Sequence, residues 1–216
     1  MTKAVIFDLD GTLLDTSEGV IQSVKYTISA LGYEPLPEDQ YRTFIGPPIH
    51  HRIMQIYGVD EEQAKVAMYT FRNHYPLGDM YKASHYEGMN ELLKNLKADG
   101  LLLGVCTYKR EDQAKILLEN KHLASFFEVI HGQDSEGKMT KAEVLQKTLA
   151  DLGVNPDETV MVGDAYTDAE GAAEAGVPFL GVTYGFGFRG KNDVAKYPNI
   201  GAAETTGEIR MIIKTL

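Results

Sequence analysis

The sequence predicts an α/β fold in which helices cover both faces of a parallel, doubly wound sheet, with an all-helical domain inserted after the first strand. Three observations support this prediction. Apolar runs alternate with amphipathic stretches along most of the chain, which is typical of strands and helices that alternate in a parallel sheet. The apolar runs are not interrupted by polar residues, as expected for strands covered on both faces. Residues 16–82 contain helical patterns but no convincing strand.

The predicted strands are five apolar runs: Ala4–Phe7, Leu101–Cys106, Phe127–Ile130, Thr159–Val162 and Phe179–Val182. The predicted helices of the same domain are four amphipathic stretches: Asn90–Lys97, Arg110–Glu119, Lys141–Leu152 and Asp168–Ala175. Glycines follow three of these helices, where a left-handed residue commonly ends a helix. Residues 1–15 and 83–216 are therefore predicted to form the α/β domain.

The inserted segment, residues 16–82, shows the periodicity of amphipathic helices. Asp15–Glu18 and Asp60–Gln63 resemble capping boxes at two helix starts. A segment of this length is too long for a loop between a strand and a helix. It is therefore predicted to form an all-helical domain on the side of the sheet where the first strand ends.

Composition restricts the classes of partner. Hydrophobic residues make up 44% of the 216 residues and charged residues 24%, which is ordinary for a globular protein. The net charge is −10 and no cluster of Lys and Arg is present, so a nucleic acid polymer is not an expected partner. A small phosphorylated metabolite remains possible where a local cation receives it. The sequence leaves open whether the protein is a monomer or a homodimer.

Three further features predict a cytoplasmic location. The single cysteine, Cys106, excludes an internal disulfide and suits a reducing compartment. The first residues run into a predicted strand without the apolar region of a signal peptide. No apolar stretch approaches the length of a membrane span, so no membrane association is expected.

Two carboxylates at the end of the first predicted strand form the most informative motif. Within Val5–Thr12 an apolar run ends in Asp8 and Asp10, which are spaced two apart, and Gly11 follows Asp10 at once. Alternate residues of a strand point the same way, so both carboxylates are expected at the carboxyl end of the sheet, where ligand crevices lie. Two like charges held close together require a cation or a shared proton. The alternative is a strand that ends in an ordinary Asp-Gly turn.

Three other segments place polar side chains at strand ends or helix starts. Thr107 follows the Leu101 strand and presents a hydroxyl near the next helix, although it could simply be an N-cap. Lys141 opens a helix, where a cation is unfavourable unless it reaches an anion. The alternatives are that Lys141 is an ordinary surface lysine or that Lys138 takes this role. Asp164 and Asp168 follow the Thr159 strand and suit a hard cation such as Mg²⁺, although either could cap the next helix.

In their order and placement, these motifs resemble those of the haloacid dehalogenase superfamily of phosphohydrolases. The four signatures appear as Asp8–Thr12, Thr107, Lys141 and Gly163–Asp168. Within the superfamily the chain is similar to the phosphoglycolate phosphatase and 5′-nucleotidase group, which carries a helical cap domain after the first strand. The resemblance implies a Rossmann-like core and an Mg²⁺-dependent phosphatase that hydrolyses a small phosphate monoester through an aspartyl-phosphate.

The resemblance also implies roles for individual residues. Asp8 is the expected nucleophile and Asp10 the expected general acid and base. The expected magnesium ligands are Asp8, the backbone carbonyl of Asp10 and Asp164, with Asp168 supporting the metal shell. The expected phosphate contacts come from Thr107, Tyr108 and Lys141. Tyr108 stands where the family more often has a small residue or Asn.

Cap residues and alternative activities remain open at this point. Gly46 and Arg52 are the candidates for substrate selection, in the turn Gly46–Pro48 and the helix that follows, although Arg52 could lie on a solvated helix face. A metal site at His50 and His51 is disfavoured because adjacent residues on a helix diverge. The alternative functions are a sugar phosphomutase of the same superfamily and a non-catalytic phosphate-ligand-binding protein. A mutase is disfavoured because Gly163 precedes Asp164, where the related mutases usually carry Glu.

Overall fold

The structure, a computed structural model, describes residues 1–46, 49–134 and 136–216. The chain forms two compact units. The first consists of Met1–Asp15 and His85–Leu216, and the second of Thr16–Ser84. The chain therefore returns from the second unit to the first at residues 84–85. The sequence predicted this boundary at residues 82–83.

The strands, in chain order, are β1 (Ala4–Phe7), β2 (Leu14–Asp15), β3 (Ser84–His85), β4 (Leu102–Arg110), β5 (Val129–Gln133), β6 (Thr159–Gly163), β7 (Phe179–Val182) and β8 (Gly201–Ala203). The α-helices are α1 (Ser17–Ala30), α2 (Glu38–Tyr41), α3 (Ile49–Tyr57), α4 (Glu61–His74), α5 (Met89–Ala98), α6 (Glu111–Asn120), α7 (Lys141–Leu152), α8 (Tyr166–Ala175), α9 (Lys191–Val194) and α10 (Thr206–Ile213). Short 3₁₀ turns occupy Arg42–Phe44, Tyr75–Leu77, Asp79–Tyr81, Ala124–Phe126 and Pro156–Glu158.

The first unit contains a six-stranded sheet with the order β5-β4-β1-β6-β7-β8, and its neighbouring strands are parallel. From β1 the chain winds outward through β4 to β5, and from β6 it winds outward in the other direction through β7 to β8. The direction of winding therefore changes between β1 and β6, which is where doubly wound sheets form their ligand crevice. The predicted fold class is confirmed.

Burial explains why the predicted strands lack polar alternation. All four residues of β1 are completely buried, and β6 and β7 are buried along their whole length. Strand β1 lies between β4 and β6, with Phe7 in register with both Val105 and Val162. The first residues after β1 and β6 therefore emerge side by side at the carboxyl edge of the sheet.

The structure corrects several element boundaries. Strand β4 continues to Arg110, beyond its predicted end at Cys106, and β5 runs from Val129 to Gln133 instead of Phe127–Ile130. Strand β8 was not predicted, because its sequence Gly-Ala-Ala has too little apolar character to indicate a strand. The capping box predicted at Asp15–Glu18 is wrong, since Asp15 ends β2 and the N-cap of α1 makes no side-chain capping bond.

The second unit is built around α4, which packs against both α1 and α3. Ile53 of α3 and Ala64 of α4 are completely buried. The capping box predicted at Asp60–Gln63 is confirmed at the start of α4. The first and last segments of this unit are joined directly. The backbone N–H of Gly19 donates to the Lys82 carbonyl oxygen at 3.3 Å, and Asp79 accepts hydrogen bonds from Ser23 and Lys82, each at 2.8 Å.

Among the described residues, the helices fall short of the length and apolar character that crossing a bilayer requires.

Candidate active site

Four segments meet at the carboxyl edge of the sheet in the first unit. Asp8 directly follows β1, and Asp164 directly follows the adjacent strand β6. The backbone N–H of Asp8 donates to the carbonyl oxygen of Val162 at 2.9 Å, which fixes the two strand ends relative to each other. Lys141 opens α7 and Asp168 lies in the first turn of α8. The topology thus brings together residues that are more than 150 positions apart in sequence.

Three buried carboxylates and one ammonium form the centre of the site. One oxygen each of Asp8, Asp164 and Asp168 lies within 4.8 Å of the others. The Lys141 Nζ donates to Asp8 Oδ1 at 2.6 Å and lies 2.7 Å from Asp168 Oδ1. The four side chains are all buried. Three acidic groups against one cation leave an excess of negative charge, which is unfavourable in a buried position without a further cation.

The pKa values express the same imbalance. Burial raises the pKa of Asp8 to about 7, with Lys141 opposing the rise and Asp168 adding to it. Burial and then the charges of Asp168 and Asp8 raise the pKa of Asp164 to about 8. Burial alone would lower the pKa of Lys141, but the carboxylates of Asp168 and Asp8 raise it well above its ordinary value. Lys141 is therefore an ammonium, and the two aspartates would hold protons near neutral pH unless a cation replaces them.

The donor set fits a divalent metal ion. Carboxylate oxygens are the ligands preferred by hard cations such as Mg²⁺. Asp164 Oδ2 accepts the backbone N–H groups of Phe186 at 2.6 Å and Gly187 at 3.1 Å, which orients the carboxylate and leaves Oδ1 for a metal. Asp168 has both oxygens engaged, one by Lys141 and the other by the backbone N–H of Ala165 at 3.0 Å. Asp168 thus both caps α8 and holds the lysine, so its placement suits support of the site.

Gly11 allows the loop after β1 to approach Asp164 closely. Its φ is +90°, a left-handed conformation that favours glycine. A Cβ at this position would lie 2.4 Å from Asp164 Oδ2. The turn after Asp10 is therefore specific to glycine, because of its left-handed φ and because the Asp164 carboxylate lies next to it.

Local structure at the start of α7 holds Lys141 in place. Thr140 and Glu143 form a capping box, with the Thr140 Oγ1 accepting the Glu143 N–H at 3.2 Å. The Tyr108 hydroxyl accepts the backbone N–H of Lys141 at 3.0 Å. Lys138, the competing candidate, has a side chain that is 77% exposed and pairs with Glu136. Of the two lysines, the structure thus places Lys141 beside Asp8.

The end of β4 differs from the sequence prediction. Helix α6 begins at Glu111, after the strand has run to Arg110, so Thr107 neither caps a helix nor directly precedes helix amides. Thr107 is almost completely buried, and its Oγ1 accepts the backbone N–H of Lys109 at 3.1 Å. Among the residues that the structure describes, its own hydroxyl hydrogen has no acceptor, so it could donate to an anion.

Lys109 is a site residue that the sequence analysis did not identify. Its Nζ lies 3.0 Å from Asp10 Oδ1, and its side chain is only 7% exposed. Asp10 lies outside the group formed by Asp8, Asp164 and Asp168. The direction of its side chain depends on an irregularity in the pairing of β4 with β5, which no pattern in the sequence indicates.

The other predicted residues lie in the helical unit. Gly46 is exposed with φ +98°, and Pro47 and Pro48 lie outside the described residues. Arg52 is half-buried and its Nη1 donates to Gln55 at 2.7 Å. The ring centroids of His50 and His51 are 4.1 Å apart, so the expected divergence of these side chains is wrong. Rotation about the side-chain bonds can bring two rings together although their Cβ atoms point apart. Within the described ranges, the pair joins no group of three potential metal ligands.

Comparison with known proteins gives one family and several named relatives. Residues 5–182 match the family model described as haloacid dehalogenase-like hydrolase. A 5′-nucleotidase of Pseudomonas aeruginosa is 34% identical over 85% of this chain and 83% of its own length. A phosphoglycolate phosphatase of Rhodospirillum rubrum is 35% identical over 86% of this chain and 81% of its own. A protein named tyrosine-protein kinase PtkA, of Mycobacterium tuberculosis, is 35% identical over 96% of this chain and 71% of its own.

The fold has close counterparts among solved structures. A predicted phosphatase from Clostridium acetobutylicum superimposes with a TM-score of 0.92 over the whole of both chains, at 33% sequence identity.

Proposed function

This chain belongs to the haloacid dehalogenase-like hydrolase family and is an enzyme of its phosphatase class, and we propose that it hydrolyses a small phosphate monoester with Mg²⁺ through an aspartyl-phosphate. The family membership confirms the resemblance drawn from the four sequence motifs. The substrates that we propose are phosphoglycolate or a nucleoside 5′-monophosphate, the classes for which two of its relatives are named.

One observation supports this proposal above the others. The Asp8 carboxylate is buried, with the Lys141 ammonium 2.6 Å away and the carboxylates of Asp164 and Asp168 within 4.8 Å. A carboxylate can attack a phosphate monoester only if the charges of both groups are screened. Lys141, which also contacts Asp168, and a cation held by the carboxylates would supply that screening.

Asp8 is the proposed nucleophile of the first step. A carboxylate oxygen of Asp8 attacks phosphorus, the bond from phosphorus to the ester oxygen breaks, and the alcohol leaves with a proton donated by Asp10. In the second step, a water molecule gives its proton to Asp10 and attacks the phosphorus. Inorganic phosphate is then released and the Asp8 carboxylate is restored.

The remaining residues bind and orient the phosphoryl group. Lys141 and the Thr107 hydroxyl would contact its non-bridging oxygens, where negative charge accumulates in the transition state. Tyr108 was predicted to contact phosphate as well. Since its hydroxyl accepts the Lys141 amide, we propose that it acts mainly by fixing the start of α7.

Mg²⁺ would be held by Asp8, Asp164 and the backbone carbonyl of Asp10, with Asp168 as support. When bound, it supplies positive charge that offsets the repulsion between the nucleophile and the phosphate.

Selection of the substrate is assigned to the helical unit. Within that unit, the positively charged guanidinium of Arg52 suits a second anionic group of the substrate. Gly46 adopts a left-handed backbone conformation before α3. An alcohol with its own carboxylate or phosphate would meet such a cation, whereas an uncharged alcohol would not.

A phosphomutase is disfavoured by the geometry at Gly163. A Cβ at this position would lie 2.4 Å from the Asp168 Cβ and 2.5 Å from its Oδ2. The Glu-Asp pair expected of related mutases therefore cannot form here unless Asp168 moves away from Lys141.

The proposal is tested by a phosphate-release screen with and without Mg²⁺. The panel contains phosphoglycolate, several mononucleotides, sugar phosphates, pyrophosphate and phosphotyrosine. Asp8→Asn should abolish release from every substrate and leave the far-ultraviolet circular dichroism spectrum unchanged, because Asn cannot form the acyl phosphate. Lys138→Met, a change at an exposed lysine, is the control and should retain wild-type activity. Undiminished turnover by Asp8→Asn would refute the assignment of the nucleophile.

A further inference from the structure

Strand β4 contains an irregularity at the point where it reaches the site. Cys106 is in register with His131 of β5, and the next aligned pair is Arg110 with Gln133. Residues 107–109 of β4 therefore stand opposite the single residue Gly132. Such a bulge bends a strand and changes the direction of its side chains, and bulges are frequent next to active sites.

The bulge turns its three residues toward different parts of the site. The Tyr108 hydroxyl accepts the amide of Lys141, and the Thr107 Oγ1 accepts the amide of Lys109. The Lys109 ammonium reaches Asp10. Gly132 is what allows the bulge to lie so close to β5, since a Cβ there would be 2.3 Å from the Lys109 carbonyl oxygen.

The site therefore contains two separate pairs of aspartate and lysine. Lys141 binds Asp8, close to the carboxylates of Asp164 and Asp168. Lys109 binds Asp10. The side chain of Lys109 is 7% exposed and that of Asp10 is 17% exposed, so solvent screens this second pair only in part. A long lysine side chain loses considerable rotamer freedom when it is held in this way.

We propose that Lys109 is a positioning residue, which holds the Asp10 carboxyl group in the rotamer that faces the leaving-group oxygen. This inference rests on the proposed function and adds a residue to it. Asp10 lies beyond the end of β1, just before the turn at Gly11, and its side chain would otherwise sample several staggered rotamers. Proton donation to an ester oxygen requires hydrogen-bond distance, so a misplaced carboxyl group loses most of its effect.

The leaving group distinguishes this role from others. An alkyl ester such as phosphoglycolate needs a proton on its departing oxygen, whereas p-nitrophenyl phosphate releases a stable phenolate without one. Loss of the positioning residue should therefore slow the alkyl ester far more than the aryl ester. A lysine that served only to attract phosphate, or only to stabilise the fold, would affect both substrates alike.

The experiment compares Lys109→Met and Lys109→Arg with the wild type, as kcat/KM for phosphoglycolate and for p-nitrophenyl phosphate. General acid catalysis contributes about 10²–10⁴-fold, so Lys109→Met should lower kcat/KM for the alkyl ester by about 10- to 100-fold and for the aryl ester by less than about threefold. Lys109→Arg keeps the positive charge. Its ratio of kcat/KM for the alkyl ester to kcat/KM for the aryl ester should therefore be close to that of the wild type. Lys115→Met removes an exposed lysine that pairs with Glu111 and should leave both values unchanged.

Two further variants keep the proposal open to refutation if Lys109→Met is poorly folded. Gly132→Ala retains Lys109 but displaces the bulge, and it should lower the alkyl-to-aryl ratio in the same direction. In an Asp10→Asn background, Lys109→Met should not lower kcat/KM for the aryl ester any further. A residue that acts only through Asp10 has no effect once Asp10 has been replaced. Equal losses on both substrates, or no loss on the alkyl ester, would overturn the inference. If phosphoglycolate is not a substrate, a mononucleotide serves as the alkyl ester. If the wild type released phosphate from no member of the panel, the proposed function itself would fail.

Discussion

At the scale of single residues, the site is defined by the way two lysines are distributed among four aspartates. Lys141 bridges Asp8 and Asp168, whereas Lys109 contacts Asp10. Asp164 is instead oriented by two backbone N–H groups, which donate hydrogen bonds but bring no full positive charge. Asp164 is therefore the buried carboxylate that depends most on a metal ion for neutralisation.

The raised pKa values of Asp8 and Asp164 predict how stability responds to pH. Both acids titrate near 3.8 when exposed, but at about 7 and about 8 in the folded protein. Between these values the native state holds protons that the unfolded chain has released. The free energy of unfolding of the metal-free protein should therefore decrease as pH rises from about 5 to about 8.

Magnesium should reverse this loss because it competes with the same protons. At 100 times its Kd, a ligand contributes about 2.7 kcal/mol, so Tm should rise by about 5–10 °C at pH 8 and by clearly less at pH 6. Thermal unfolding with EDTA or MgCl₂ at the two pH values measures this. Asp164→Asn is the matched control and should lose the increment at pH 8. Equal increments at both pH values would contradict the assignment of the metal site.

At the scale of elements, the N-terminus of α7 connects helix capping to the chemistry of the site. Thr140 caps the helix and the adjacent residue is Lys141, so fraying of the first turn would move the lysine away from Asp8. Strand β4 also holds the start of α7, because the Tyr108 hydroxyl accepts the backbone N–H of Lys141. The position of one ammonium thus depends on a helix cap and on a strand bulge.

Thr140→Ala tests the connection between capping and catalysis. Loss of an N-cap costs about 1 kcal/mol, which for a protein of this size lowers Tm by about 2–4 °C. We expect kcat to fall together with Tm, because Lys141 lies in the turn that frays. Thr205→Ala is the control, since Thr205 caps α10 with the same type of bond to Glu208 but lies outside the site. If both variants kept wild-type kcat, capping would have no influence on the site.

At the scale of the whole molecule, the two units have their own cores and different proposed tasks. The α/β unit holds the residues assigned to phosphoryl transfer, and the helical unit holds those assigned to substrate selection. Such a division allows one reaction mechanism to serve many substrates, because specificity can change without altering the catalytic side chains.

Arg52→Met tests this division. If Arg52 binds a second anionic group, its loss should raise KM for phosphoglycolate or a mononucleotide by about 10- to 100-fold, the range of a charged hydrogen bond. The value of kcat/KM for p-nitrophenyl phosphate, which has no second anion, should stay within about twofold of the wild type. Lys65→Met removes another cation of the same unit, one that pairs with Glu61 and Glu62, and should change neither value. A loss shared by all three substrates would count against a role in selection.

The sequence allowed the fold class to be predicted because buried parallel strands and amphipathic helices leave distinct periodicities. It also indicated Asp8 and Asp164, since each directly follows an apolar run. The bulge in β4 could not be predicted, because it depends on Gly132 in a neighbouring strand as much as on its own residues. Lys109 was missed for that reason. Strand β8 was missed because its pairing with β7, and not its composition, makes it a strand.

The hydrogen bond from Gly19 to Lys82 has a practical consequence for protein engineering. It brings the beginning and the end of the inserted segment together, and segments whose ends adjoin are the ones that can be transplanted most readily. Residues 16–84 could therefore be exchanged as a cassette with the corresponding segment of a related enzyme. Chimeras of this kind would offer a direct route to hydrolases with new substrate preferences.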